Sequence, residues 1–200
     1  MTPTHTDTQQ EKINAILEAA ARCFAQNGFH ATSIAQICQA ANISTGGLFH
    51  YFDNKNSIIK AFIQREQLKT RRYFTILDHI DDPIAALRGF LSVIMIIAAD
   101  DVHAPLSLEI KTEAGRNPEV AALILDFDTM IRHDVTKLLV RAQTLKLIDP
   151  QLNPGQAASW IMALLDGVFC RLTMDPGFQP KAEQQMLVQI VLRFLHYRGA

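Results

Sequence analysis

Apolar residues recur at intervals of three and four along most of the chain, and nowhere does a period-two alternation persist. From Glu11 to Gln26 the stripe is Ile13, Ile16, Leu17, Ala20, Ala21 and Phe24, which predicts an amphipathic helix ended by Gly28. Thr32 and Ser33 offer the cap of a second helix whose inner face is Ile34, Ile37, Cys38 and Ala41. Asn42-Ile43-Ser44 interrupts the pattern. Asn tolerates left-handed backbone better than most residues and Ser44 is a good N-cap, so a tight turn between helices is expected there. A short third helix follows over Thr45 to Phe52, with Leu48 and Phe52 inward, and Asp53-Asn54 caps a long fourth helix to Leu77.

Beyond Pro83 the pattern predicts helices over 83–100, 105–115, 118–146, 154–174 and 180–197. Pro105, Pro118, Pro154 and Pro180 fall where a first helical turn tolerates a missing N–H. The fold class is therefore all-α. With no repeat, low-complexity tract or flexible linker, the chain divides into domains at 9–69 and 70–200 that share the fourth helix.

At 48% hydrophobic and 20% charged residues, the composition is globular and excludes the disordered class. Cys23, Cys38 and Cys170 are odd in number and far apart, which points to buried thiols in a reducing cytoplasm and away from disulfides. No Cys/His cluster has metal-ligand spacing, so neither metal nor cofactor is expected. The opening residues lack the order of a secretory signal, and the apolar run from Phe90 to Ala99 stops at Asp100, short of a bilayer's thickness, so no membrane role is expected. Net charge is −1, and the charges of residues 1–60 cancel, with Lys12, Arg22, Lys55 and Lys60 against Asp7, Glu11, Glu18 and Asp53. Any nucleic-acid contact must be local.

The span from Ser33 to Phe52 fits a helix-turn-helix, whose second helix can enter a major groove. Gly46-Gly47 inside so short a helix costs roughly 1 kcal/mol per glycine relative to alanine. A bare backbone permits close approach to a partner, and Thr45, His50 and Tyr51 beside it can hydrogen-bond. Phe52 is expected in the core and Tyr51 at the surface, with Phe49 open; a generic helical hairpin is the alternative.

The segment ILEAAARCFAQNGFHATSIAQICQAANISTGGLFHYFDNK resembles the DNA-binding domain of the TetR family of bacterial repressors. The matching positions are the helix ending in Phe24, Gly28, Thr32-Ser33, Ile37, Ala41, Ile43-Ser44, Gly46, Leu48, His50-Tyr51-Phe52 and Lys55. The resemblance implies a three-helix head on double-stranded operator DNA, with Ser33, Thr45, Tyr51 and Lys55 at phosphate or groove and Gly46, Gly47 and His50 facing bases; Ser44 joins this set as the cap. Asn42, Thr45, Gly47 and Phe49 depart from the family's usual glycine, lysine, hydroxyl residue and tyrosine, which removes a charge and two hydroxyls from the reading surface. Part of the specificity then falls to backbone amides, water or DNA shape.

EAGRNPEVAALI and ALLDGVFCRLTMDPGF are similar to the regulatory domain of the betaine and choline regulators. That implies a small-molecule effector domain and a homodimer through the last two helices. The expected dimer face is Trp160, Leu164, Val168 and Arg171 with Leu187, Ile190, Val191 and Phe194. The expected effector pocket draws on Phe62, Phe90, Met95, Phe127, Met130 and Phe169 with Glu113 and His133. A buried carboxylate there would favour a cationic or hydrogen-bond-donating effector. The implied function is a repressor released by its effector; an activator or effector-independent regulator is the alternative. No GxSxG, phosphate loop or HExxH supports an all-α enzyme or carrier.

Overall fold

The computed structural model describes residues 5–198. The described residues form nine helices and no strand: α1 His5–Asn27, α2 Ile34–Ala41, α3 Thr45–Phe49, α4 Lys55–Asp78, α5 Pro83–Ala98, α6 His103–Ala114, α7 Pro118–Thr144, α8 Pro154–Met174 and α9 Pro180–Phe194. The expected boundaries hold to within a few residues except at four ends. α1 begins earlier, at His5. α3 stops at Phe49, because His50 already turns the chain and brings Phe52 back into the core. α6 starts at His103, where Asp100 Oδ1 accepts the Val102 and His103 amides at 2.9 and 3.3 Å. α9 ends at Phe194, and His196 turns away in left-handed backbone.

Two compact units result, and they are not consecutive stretches. One joins residues up to Glu66 with Pro105–Ile124; the other joins Gln67–Ala104 with the chain from Leu125 onward. α4 contributes to both, as the continuous pattern past Asp53 anticipates, and so does α7.

In the first unit Ile16, Leu17, Phe24, Ile37, Leu48, Ile58, Ile59 and Ile63 are buried from four helices. Phe24 and Phe29 stack at 5.1 Å between ring centroids and seal the α1–α2 turn. Phe62, expected in the effector pocket, belongs here instead and lies beneath the Arg65 guanidinium, 5.0 Å from its ring centroid. The second unit is a helical core of Phe74, Leu87, Phe90, Leu91, Met95, Val135, Leu138, Leu139, Ile161, Leu165, Leu187 and Val191. Phe90 and Met95 are only 1–2% exposed within it, so packing, and not a ligand, accounts for them.

Candidate nucleic-acid interface

The α2–α3 pair is built by local capping. Ser33 Oγ accepts the Gln36 amide at 3.2 Å while the Gln36 side chain accepts the Ser33 amide at 2.7 Å, a reciprocal capping box. The Ser-x-x-Gln spacing is present in the sequence and could have predicted it. α2 ends at Asn42, whose φ of 52° and ψ of 48° are left-handed, as the sequence anticipates. Ser44 then caps α3, its Oγ accepting the Gly47 amide at 3.0 Å.

Leu48 is fully buried beneath α3, while Thr45, Gly46, Phe49 and His50 are exposed on the opposite face. Tyr51 is half-buried, its ring edge-on to His50 at 4.9 Å. The two glycines have different reasons. A β-carbon on Gly47 would come within 3.2 Å of the capping Ser44 Oγ, a contact that would press on the cap. A β-carbon on Gly46 would meet nothing within 4 Å, so no neighbour inside the protein requires glycine there. Phe49, left open by the sequence, is 48% exposed and joins this face; an apolar group there suits a thymine methyl.

Lys55, expected at phosphate, makes contacts of its own within the protein. Its Nζ donates to the main-chain carbonyls of Phe29, of His30 at 3.0 Å and of Thr32 at 2.8 Å, and it lies 4.7 Å from the Phe29 ring centroid. A lysine has three N–H donors, and each has a main-chain carbonyl partner here. Burial pushes the ammonium below the usual lysine range, and the Glu113 carboxylate opposes that shift. Thr32, read as a cap for α2, is buried; its hydroxyl donates to Gly28 O at 2.8 Å or Cys23 O at 3.0 Å and closes α1 instead.

A family model for bacterial regulatory proteins of the tetR family matches residues 16–62. A second, for the C-terminal domain of BetI-type transcriptional repressors, matches residues 83–196, more than half of the chain. The chain belongs to the TetR family. The HTH-type transcriptional regulator UidR of Escherichia coli (strain K12) is 30% identical over 165 residues, covering 80% of this chain and 81% of its own. Salmonella enterica GusR superposes with a TM-score of 0.71 at 27% identity, over 93% of this chain and 96% of its own. The fatty acid degradation regulator FadR from Bacillus halodurans shares the fold with a TM-score of 0.82 at 21% identity, over 94% and 97%. This TetR-family chain is thus a DNA-binding transcriptional regulator, and its family is not one of enzymes.

The dimer face expected for the regulator divides in two. Val168, Leu187 and Val191 are buried in the core of its second unit, because each follows the inward side of its helix, and they are not free to meet a partner. Trp160, at 69% exposed, together with Ile190, Phe194 and Arg171, stands outside that core, with Met174 and Met186 beside them in exposure, and Leu164 is half-buried. Gly167 sits among them on α8, where an added β-carbon would meet nothing within 4 Å, so the backbone is bare there. Cys170 is exposed on the same helix, unlike buried Cys23 and Cys38, which corrects the expectation of three buried thiols. α8 is also long and apolar enough to cross a membrane, unlike the Phe90–Ala99 run that the sequence singled out, yet little of it is buried.

The regulator's expected effector residues are divided between the two units. Phe62 and Glu113 lie in the first unit, while Phe90, Met95, Phe127, Met130, His133 and Phe169 lie in the second. Glu113 is buried, its Oε2 3.0 Å from His30 Nε2 and its carboxylate close enough to Lys55 to act on the ammonium. The second unit has an open cleft of about 460 Å³ lined by Thr129, Arg132, His133, Thr136, Asn153, Gly155, Gln156 and Ser159; only His133 was expected.

Proposed function

We propose that this regulator is a cytoplasmic repressor that binds a palindromic operator in double-stranded DNA as a homodimer and is released by a small-molecule effector. Residues 9–69 supply the DNA-binding domain and residues 70–200 the effector-binding and dimerisation domain. The observation that carries the DNA role is Gly46, an exposed glycine whose size nothing within the protein requires, set between Thr45, Phe49 and His50. A partner surface that comes close to the backbone gives that glycine its purpose.

Ser44, Thr45, Gly46, Gly47, His50 and Tyr51 read or grip DNA; Ser33 stands at its edge, its hydroxyl already engaged with Gln36. The exposed apolar residues of α8 and α9 meet their two-fold equivalents, with Trp160, Ile190 and Phe194 as anchors. This pairing, and not a bilayer, accounts for the apolar surface of α8, which also carries exposed Gln156, Ser159, Asp166 and Arg171.

Gel retardation with DNA flanking the protein's own gene, repeated at rising salt, tests this reading. A complex on a palindromic fragment is expected, with affinity falling steeply as counterions are released. Equal binding to every fragment, or none at low salt, overturns it.

A further inference from the structure

Among the described residues of the first unit, Phe49 is the only large apolar side chain that is exposed, while Leu48 before it and Phe52 after it are buried. A single exposed apolar residue is common on a protein surface and needs no explanation by itself. Two features set this one apart. Phe49 lies three residues after Gly46, so the two share a face of α3, and that face has a bare backbone where an added β-carbon would meet nothing within 4 Å. The face is also uncharged: from Asn42 to Phe52 the chain has no Lys, Arg, Asp or Glu, and α3 itself has no Asn or Gln.

Those absences decide what α3 can read. In a major groove guanine is best held by two donors of Arg or Lys, and adenine by the amide of Asn or Gln. α3 presents none of these groups. Its exposed residues offer a hydroxyl and a methyl at Thr45, bare backbone at Gly46, a phenyl ring at Phe49 and, just past its end, an imidazole at His50. Phenylalanine carries no hydroxyl and cannot donate to a phosphate. The groove feature that a phenyl ring does suit is the C5 methyl of thymine.

Resting on the DNA-binding reading above, we propose that Phe49 is a specificity-determining residue that packs against one thymine methyl in each half-site of the operator. Ring and methyl leave water together on binding, and the bare backbone at Gly46 lets the helix come close enough for them to meet. The size of the effect follows from the burial of one methyl group. Its removal is expected to cost about fourfold in affinity per half-site, and about fifteenfold when both half-sites lack it.

The test uses the full-length protein and a palindromic duplex selected from random DNA by the wild type. Each thymine, together with its symmetry mate, is replaced in turn by uracil, which pairs in the same way and lacks only the C5 methyl, and affinity is read by fluorescence anisotropy. Wild type is expected to lose about fifteenfold at one symmetric pair of thymines. Phe49→Ala is expected to bind the unmodified duplex more weakly and to lose nothing further with uracil at that pair, because the partner of the methyl is gone. Should alanine impair folding, Phe49→Gln, which keeps the length of the side chain and makes its end polar, carries the same test. A series of uracil duplexes that wild type binds as tightly as the thymine duplex overturns the proposal and leaves the DNA reading standing. A folded Phe49→Ala protein that loses as much to uracil as wild type also overturns it, since another residue then reads the methyl. If the wild type selects no duplex at all, the DNA reading fails first and the proposal falls with it.

Discussion

Gly46 is where the proposed DNA contact can be tested apart from the fold, since no neighbour within 4 Å requires a glycine there. Replacing it with alanine adds a β-carbon to open space in a helix, so Gly46→Ala should stabilise the free protein by about 1 kcal/mol while weakening DNA affinity several-fold. Thermal melting and fluorescence anisotropy would show the two changes; unchanged affinity would remove Gly46 from the contact surface. Lys55 behaves in the opposite way. Lys55→Gln should lower stability by about 1.5–3 kcal/mol in urea titrations, since a charged donor's bonds to three carbonyls are lost. It should leave the slope of log affinity against log salt unchanged; a slope reduced by about one with stability intact would restore Lys55 to phosphate. Sequence made Gly46 legible because a glycine in a short helix is locally anomalous. The carbonyls around Lys55 were not legible, because they are supplied by a turn some 25 residues away that no local pattern announces.

Helices were the most legible elements. Period, caps and prolines located all nine, since each cap is a local bond between neighbours such as Ser44 with Gly47 or Asn153 with Gln156. Which face of a helix meets which neighbour was less legible. On α9 the stripe Leu187, Ile190, Val191, Phe194 mixes two surfaces: Leu187 and Val191 lie in the chain's own core, and Ile190 and Phe194 outside it. Both surfaces are apolar, so hydrophobicity alone does not divide them. The division predicts distinct failures. Trp160→Glu and Ile190→Glu should give folded, helical monomers in sedimentation at micromolar concentration, whereas Leu187→Glu should unfold the chain, because it puts a charge in a closed core. A Trp160→Glu protein that stays dimeric would move the interface elsewhere.

At the scale of the molecule, the division into units was only partly legible. The continuity of α4 was visible as an unbroken pattern past Asp53, but the assignment of Pro105–Ile124 to the first unit was not. That assignment rests on contacts such as Glu109 with Phe29 and Lys60 with Glu119, pairs separated by 80 and 59 residues that no local pattern announces. Which aromatic residues would line a cavity was not legible for a related reason: aromatic residues at helical spacing serve core and cavity alike, and Phe90 lies in the core. The central proposal is that the face carrying Thr45, Gly46, Phe49 and His50, with Tyr51 beside it, reads DNA. Its most direct test is an anisotropy titration of a palindromic duplex, selected from random DNA by the wild type, with wild type and with a His50→Ala, Tyr51→Ala double variant, both checked for dimer mass and helix content. The double variant is predicted to remain a folded dimer and to lose about a hundredfold in affinity; a folded double variant that binds the duplex as tightly as wild type would contradict it.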